Sequence, residues 1–249
     1  VVRFVGDGIA FVVADSVAAA QDAAELIAVD YETLPAAIGT ATATDQGTPA
    51  VWPERPDNIA FFHRAGNKAK TDAAFEGADH VVTRKLTINR VGANSIEARA
   101  ILAVYERDAD FHTIYLSAQS AFGMRRILAE VIFGEDQSKF RVITNDIGGA
   151  FGMKAAFYTE YALSVWAARL LGKPVKWIEE RSEAHLTDYH GRDNVTEVSL
   201  ALDNTGRFLG LRVDTTANLG AYLSTLAAGP ATIHLGGLAG VYTTPVAHV

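Results

Sequence analysis

Apolar and polar positions in the first part of the chain predict a strand, a helix and a second strand. Residues 9–14 form an apolar run typical of a buried strand, and Ser16 offers an N-cap for a helix whose apolar face begins at Val17. Residues 29–32 predict another strand. Residues 35–58 contain four prolines among alanines and threonines, so they do not fit a regular element and predict a linker, with the domain boundary placed within them.

The second part of the chain predicts strands joined as hairpins, with two helices beside them. Residues 121–133 and 158–171 have apolar residues at helical spacing and end at Gly134 and Gly172, which can adopt the left-handed conformation of a helix C-cap. The predicted strands are residues 82–88, 101–106, 111–117, 140–144, 175–179, 196–202 and 208–213. These elements predict an α+β fold with mixed sheets, hairpins and flanking helices.

The chain divides into three predicted parts. Residues 1–45 predict the C-terminal part of a small α/β domain, residues 46–58 a linker and residues 59–249 a second domain. Both ends lie in strand-like runs, whereas domains normally end in loosely ordered polar residues. We therefore expect a piece of a longer polypeptide, although a tightly trimmed or split subunit would look the same.

A glycine-rich segment, "NDIGGAFGMK" (residues 145–154), follows the predicted strand 140–144. Three glycines leave amide N–H groups uncovered by side chains, which suits close approach to an oxyanion or a phosphate. The alternative is a tight strand-to-helix turn in which Phe151 fills the core. The spacing matches neither a P-loop nor the dinucleotide-binding pattern of glycines.

Gln119 occupies a comparable position, because it follows the predicted strand 111–117 and precedes a predicted helix. Ligands collect at such strand ends in sheets with helical connections, and a glutamine amide can donate a hydrogen bond to an oxo or phosphate oxygen. The alternative is an ordinary polar residue at a helix start. If the functional interpretation is right, Gln119 and the glycine segment face one hollow.

The amino-acid composition argues against several classes of function. The 249 residues are 49% hydrophobic and carry a net charge of −7, which argues against general affinity for nucleic acid. The absence of cysteine excludes disulfides, iron–sulfur clusters and thiolate zinc sites on this chain, and the seven histidines lack metal-ligand spacing. No apolar run approaches the roughly 20 residues of a membrane span, so the sequence predicts a cytoplasmic protein.

The order of several motifs resembles one known family. These motifs are "VRFVGDGIAFVVADS", "AAELIAVDYETLPA", "NRVGANSIEARA", "SAQSAFGMR", "DIGGAFGMK", "LLGKPVKWIEERSE", "HGRDN" and "ANLGAYLS". In this order they resemble the molybdenum-binding large subunit of the xanthine oxidase and aerobic carbon monoxide dehydrogenase family. The resemblance implies the end of an α/β hammerhead domain followed by the first part of a molybdopterin-binding domain.

The resemblance also implies a site. Gln119 matches the glutamine that hydrogen-bonds the apical oxygen on molybdenum, and the segment formed by Gly149, Ala150, Phe151 and Gly152 matches the one that brings main-chain amides to the molybdopterin cofactor. The cofactor would be molybdenum-molybdopterin, as such or as a dinucleotide. The family's catalytic glutamate lies outside these residues, so no catalytic residue is assigned here.

Two departures from the family pattern limit what can be transferred. Ala150 stands where family members commonly have glycine, a change that the turn tolerates if φ there is not positive. Ala155 stands where xanthine oxidases have the glutamate that holds purines, so purine recognition is not supported. In the "HGRDN" motif, we expect Arg192 and Asp193 to pair locally and stabilise a loop.

Two functions remain open from the sequence. The first is part of a molybdenum hydroxylase that oxidises an aldehyde, an N-heterocycle or carbon monoxide with water as the oxygen source. Its partners would be an iron–sulfur subunit and an FAD subunit, and we expect the isolated chain to lack both cofactor and activity. The second is a non-catalytic, truncated α/β module with a structural or partner-binding role.

Overall fold

The computed structural model describes residues 1–233 and 237–249, which form two compact units. The first unit comprises Val1–Glu32 and Gly92–His190, and the second comprises Thr33–Val91 and Gly191–Val249. Each unit contains one four-stranded sheet. The predicted α+β fold with mixed sheets, hairpins and flanking helices is therefore confirmed.

The secondary structure follows the apolar pattern closely in the second part of the chain. The helices are α1 (Val17–Glu25), α2 (Lys68–Glu76), α3 (Ala121–Arg126), α4 (Thr159–Leu171), α5 (Arg181–Thr187) and α6 (Gly229–Thr232). The strands are β1 (His80–Val91), β2 (Ala100–Glu106), β3 (Phe111–Leu116), β4 (Phe140–Ile143), β5 (Val175–Ile178), β6 (Gly191–Leu202), β7 (Phe208–Ala217) and β8 (Ala247–His248). Short 3₁₀ turns lie at Thr40–Thr42, Gln137–Lys139, Met153–Ala155 and Gly237–Ala239.

In the first unit the sheet order is β4-β3-β2-β5. Strands β2 and β3 form the predicted antiparallel hairpin, whereas β3 and β4 run parallel. A parallel pair needs a crossover connection, which α3 and a following π-helical turn, Ile127–Phe133, provide. Because parallel strands end at the same edge of a sheet, the residues after Leu116 and after Ile143 emerge side by side.

The core of the first unit lies between this sheet and helices α3 and α4. Alternate residues of β2 and β3 point into it, as expected for strands with a period of two. The helices contribute residues from their apolar faces. The fully buried apolar side chains include Ile101, Ala103, Ile114, Met124, Leu128, Tyr161 and Val165.

In the second unit the sheet order is β1-β6-β7-β8. Helix α2 packs against β7, where the Arg212 guanidinium lies 4.2 Å from the centre of the Phe75 ring and forms an ion pair with Asp72 at 2.7 Å. The predicted hairpin of β6 and β7 is longer than its apolar pattern suggested. Its turn uses Gly206 at a φ of +83°.

Two strand predictions near the start of the chain are wrong. Residues 9–14 and 29–32 have no regular secondary structure, and neither has the strand-like run at residues 1–5. A strand requires a hydrogen-bonded partner, and these residues belong to neither sheet of the described chain. Within residues 9–14, Phe11 packs against the core of the first unit, whereas residues 29–32 are exposed.

The two predicted helices are confirmed with one modification. Gly134 and Gly172 cap them in the left-handed conformation, with φ of +64° and +63°. The first helix changes to π-helical geometry over Ile127–Phe133. The pattern of apolar residues does not reveal such a change, because it indicates which residues are buried and not which carbonyl each amide bonds to.

Candidate functional site

The glycine segment forms a sharply bent loop beyond the end of β4. Gly149, Phe151 and Gly152 have positive φ values of +101°, +52° and +94°, whereas Ala150 does not have a positive φ. The alanine in place of the family glycine is therefore compatible with the turn, as expected. Left-handed backbone is costly for a bulky residue, so Phe151 holds a strained conformation within the bend.

Phe151 does not fill the core. Its side chain is 76% exposed, so the alternative interpretation of a turn plugged by this ring is wrong. The ring instead lies over Gly149, where an added Cβ would come within 3.2 Å of both the Phe151 ring and Ser95. Gly149 therefore needs to be glycine for two reasons, its positive φ and the close approach of these neighbours.

Gln119 is joined directly to the glycine loop. The Gly152 N–H donates to Gln119 Oε1 at 3.0 Å, and the Gln119 N–H donates to the Lys154 carbonyl at 3.1 Å. The structure thus brings together the two features that the sequence placed at comparable strand ends. Because Oε1 accepts from Gly152, the Gln119 Nε2 group is left as a donor for another acceptor.

Several donors at this site have no protein acceptor. Within residues 1–233 and 237–249, the N–H groups of Gly149, Ala150 and Phe151 and the Gln119 Nε2 group make no hydrogen bond to the protein. Backbone N–H groups are satisfied by protein, water or ligand in folded proteins. A set of donors without acceptors suits a ligand rich in anionic oxygen.

Beneath the loop lies an ion pair that the sequence reasoning missed. Lys154 is completely buried, and its Nζ lies 3.0 Å from Glu97 Oε1. The other carboxylate oxygen of Glu97 accepts from the Gly148 N–H at 2.6 Å, and Oε1 also accepts from the Ser117 hydroxyl. The Ser117 hydrogen bond, then those of Gly148 and Lys154, lower the pKa of Glu97 to about 2. Glu97 is therefore ionised at neutral pH.

A signal for this pair was present in the motifs. Glu97 and Lys154 both fall within quoted stretches, "NRVGANSIEARA" and "DIGGAFGMK". Each is a charged residue beside apolar neighbours, a pattern that favours burial in a pair. What the sequence lacks is the information that positions 57 residues apart meet.

A second buried charge cluster surrounds Arg99. Its guanidinium is fully buried and forms ion pairs with Asp188 at 2.6 Å, with Glu160 at 3.4 Å and with Glu179. It also lies 3.6 Å from the centre of the Tyr158 ring. Glu160 and Glu179 therefore have a structural partner in Arg99.

The "HGRDN" motif does not form the local ion pair that the sequence predicted. Arg192 and Asp193 lie in β6 with positive φ, and Asp193 pairs with Arg90 at 2.9 Å rather than with Arg192. Asp193 also accepts hydrogen bonds from Thr40 at 2.6 Å and Asn218 at 2.8 Å. The left-handed backbone turns the carboxylate of Asp193 toward these partners, so the predicted local pairing is wrong.

The described residues contain no cluster of three or more histidine or acidic side chains suited to a metal ion. They also contain no helix with the length and apolar content of a membrane span. The candidate site consists of amide donors, and below them the buried Lys154 forms an ion pair with the partly exposed Glu97.

Comparison with known proteins identifies the family. The model of the molybdopterin cofactor-binding domain matches residues 51–249. The chain belongs to the molybdopterin cofactor-binding domain family. Residues 1–35 match a second model, the a/b hammerhead domain of aldehyde oxidase and xanthine dehydrogenase. The resemblance inferred from the motifs and the order of the two domains are therefore confirmed.

Relatives in this family are several times longer than the chain. The chain is 36% identical to the nicotine 6-hydroxylase large subunit of Paenarthrobacter nicotinovorans, over 89% of its own length and 27% of that protein. It is 32% identical to the carbon monoxide dehydrogenase large chain of Hydrogenophaga pseudoflava, over 89% of its length and 29% of that protein. The chain thus spans less than a third of these relatives.

The fold of the chain is also found in solved structures. A structure of reconstituted CO dehydrogenase from Oligotropha carboxidovorans superimposes with a TM-score of 0.82 and 30% sequence identity. The match covers 93% of this chain and 30% of that one. The chain therefore shares the architecture of the corresponding portion of that structure.

Proposed function

We propose that the chain is part of the molybdenum-binding subunit of a molybdenum hydroxylase, and that Gln119 with residues 149–152 forms part of its cofactor cradle. The observation that carries the proposal is the hydrogen bond from the Gly152 N–H to Gln119 Oε1, which assembles the loop and the glutamine into one surface of donors. The family membership supports it. We further propose the division into a hammerhead part (1–45), a linker (46–58) and a cofactor-binding part (59–249).

The chemistry of the donors fits a molybdopterin. The free N–H groups of Gly149, Ala150 and Phe151 would donate to oxygens of the cofactor, and the Gln119 Nε2 group would donate to an oxygen bound at the metal. Gly152 has a different role, since its N–H already orients Gln119. A neutral set of oriented donors holds an anion even though the whole protein is acidic.

When bound, the molybdenum-molybdopterin cofactor supplies the redox centre for oxidation of an aldehyde, an N-heterocycle or carbon monoxide, with water as the oxygen source. This chain's residues hold and orient that group. Iron–sulfur and FAD centres on partner subunits would accept the electrons. Ala155, at the position of the purine-holding glutamate of xanthine oxidases, disfavours a purine substrate.

A direct experiment measures molybdenum in the full-length subunit produced with its partner subunits. Gln119→Ala removes the oriented amide, and Gly152→Val forces a β-branched residue into a φ of +94°. We expect both variants to lose bound molybdenum or to retain it without activity. Gly206→Val is a matched control, since Gly206 also has positive φ, at +83°, and open space around its Cβ position but lies in the β6–β7 hairpin.

The same measurements distinguish a molybdenum hydroxylase subunit from a non-catalytic α/β module. If Gln119→Ala and Gly152→Val keep wild-type molybdenum and activity, these residues are not part of the cradle. If the full-length complex itself binds no molybdenum, the non-catalytic module is the better description.

A further inference from the structure

Near the glycine loop, the completely buried side chain of Lys154 forms an ion pair with Glu97, whose side chain is 38% exposed. Lys154 has no solvent-exposed surface, and its Nζ pairs with Glu97 alone among the carboxylates of the described residues. A buried ammonium is costly unless it is paired and hydrogen-bonded. The position of this ion pair under the loop therefore indicates a role in addition to stability.

We propose that Glu97 and Lys154 are positioning residues, which fix the glycine loop and Gln119 in the arrangement that receives the cofactor. This inference rests on the proposed function and extends it to residues that do not touch the cofactor. Neither residue is a catalytic residue in this proposal, because both act through the loop.

Glu97 holds the first part of the loop from two sides. Its carboxylate accepts the Gly148 N–H at 2.6 Å, while its own N–H donates to the Gly148 carbonyl at 3.1 Å. Residues 97 and 148 are thus joined by two hydrogen bonds that form a closed ring. This arrangement sets where the loop leaves the end of β4.

Lys154 holds the last part of the loop and Gln119. Its Nζ binds Glu97, and its carbonyl accepts the Gln119 N–H at 3.1 Å. Gln119 in turn accepts the Gly152 N–H. The contacts therefore run from Glu97 through Lys154 to Gln119 and back to the loop at Gly152, so a displacement at Glu97 reaches the donor amides.

The first glycine of the motif supports this assignment independently. A Cβ at Gly148 would lie 2.7 Å from the Glu97 Cβ, a distance that side-chain atoms do not reach. Gly148 has no positive φ, so the close approach of Glu97 is the reason for glycine there. Gly149 and Gly152 are therefore required by their positive φ, and Gly148 is required by its close approach to Glu97.

Glu97 is unsuited to act as a base. Both of its oxygens already accept hydrogen bonds, from Gly148, Lys154 and Ser117. A carboxylate whose acceptor sites are filled is held in place and is a weak proton acceptor. Positioning is therefore the role that this geometry supports.

The test uses the double variant Glu97→Ala with Lys154→Met in the full-length subunit with its partners. Removing both charges avoids leaving one of them buried and unpaired, so the subunit is expected to fold. Hydrogen exchange of the peptide covering residues 145–154 should accelerate at least about tenfold, which corresponds to about 1.4 kcal/mol of lost local protection. Activity per bound molybdenum should fall at least about tenfold as well, since the donors are misplaced.

Two controls separate positioning from a general loss of stability. Val165→Ala creates a cavity in the core of the first unit and lowers stability without touching the loop. It should leave loop exchange and activity per molybdenum within about twofold of wild type. The pair Glu106→Gln and Lys176→Met removes one exposed charge of each sign from β2 and β5 and should change neither measurement.

The outcomes distinguish this proposal from the proposed function. Unchanged exchange of residues 145–154 in the double variant overturns the positioning role, whatever the molybdenum content. Accelerated exchange with unchanged activity per molybdenum overturns it too. Retention of molybdenum and activity by Gln119→Ala and Gly152→Val would instead contradict the cradle itself.

Discussion

Gly148 and Glu97 approach so closely that no side chain fits between them, because a Cβ on Gly148 would lie 2.7 Å from the Glu97 Cβ. The contact links the start of the loop to the segment that precedes β2. Both hydrogen bonds between these two residues depend on it. The relationship makes Gly148 a sensitive position even though its backbone conformation is ordinary.

Gly148→Ala should therefore weaken the loop and cofactor binding. The added methyl group must push Glu97 away, and overpacking of this kind costs about 1–3 kcal/mol. We expect reduced molybdenum content of the full-length subunit and a lower melting temperature. Gly8→Ala is the control, since no atom of residues 1–233 or 237–249 lies within 4 Å of its Cβ position and its φ is not positive. An alanine at 148 that leaves both measurements unchanged would contradict the close contact.

Replacement of Arg99 should destabilise the first unit strongly. Arg99→Met leaves Glu179 and Asp188 buried without their guanidinium partner, and breaking a buried ion pair from one side costs about 3–5 kcal/mol. The loss would appear as a lower denaturant midpoint for the unfolding of this unit. Arg126→Met, at an exposed position, should change the free energy of unfolding by less than about 0.5 kcal/mol. A small effect of Arg99→Met would show that the cluster is solvated in solution.

Stability should fall as the pH drops below about 6.5 because of His112. Its ring is buried between aromatic side chains, its Nε2 has no hydrogen-bond partner among the described residues, and burial lowers its pKa. The unfolded chain therefore binds a proton more readily than the folded one, so stability is complete above the unfolded pKa and is lost as pH falls toward the folded pKa. The nearby charges are Arg169, Glu135, Asp110 and Lys139.

The variant His112→Phe tests this pH dependence. Phenylalanine fits the stack on Phe140, whose ring centre lies 4.5 Å from that of His112, and has no proton to gain. The difference in unfolding free energy between pH 7 and pH 5.5 should shrink in this variant. An equal pH dependence in wild type and variant would assign the effect to other groups.

The sequence predicted best those features that depend on neighbours along the chain. The alternation of residues 101–106 and 111–117 predicted the β2–β3 hairpin, and Gly134 and Gly172 marked the helix ends correctly. Residues 9–14 carry an equally clear apolar pattern but form no strand. The pattern reports apolar content, whereas a strand also needs a partner edge, which only the tertiary fold supplies.

At the candidate site too, the sequence predicted local features but not contacts between distant positions. Gln119 and the glycine loop could be placed together because each follows a strand, and parallel strands end at one edge. Glu97 and Lys154 each lie among apolar neighbours, but their contact with one another could not be inferred, since contact between distant positions leaves no local pattern. The exposure of Phe151 was also hidden, because it depends on a left-handed backbone at a residue that rarely adopts one.

Phe151 should show opposite effects on stability and function. Its φ of +52° is strained for a bulky residue, and its side chain is 76% exposed, so little packing is lost on removal. Phe151→Gly should therefore keep or raise the unfolding free energy, by about 1 kcal/mol at most, because the strain is relieved. The same variant should reduce activity per molybdenum in the full-length subunit, since a freer loop presents its amides less well and the ring no longer shields them from water. Phe122→Gly, which removes another exposed ring from α3, should instead lower stability as a helix glycine without affecting molybdenum-dependent activity. If Phe151→Gly lowered stability and left activity intact, the ring would be a structural element and the strain would have no role at the site.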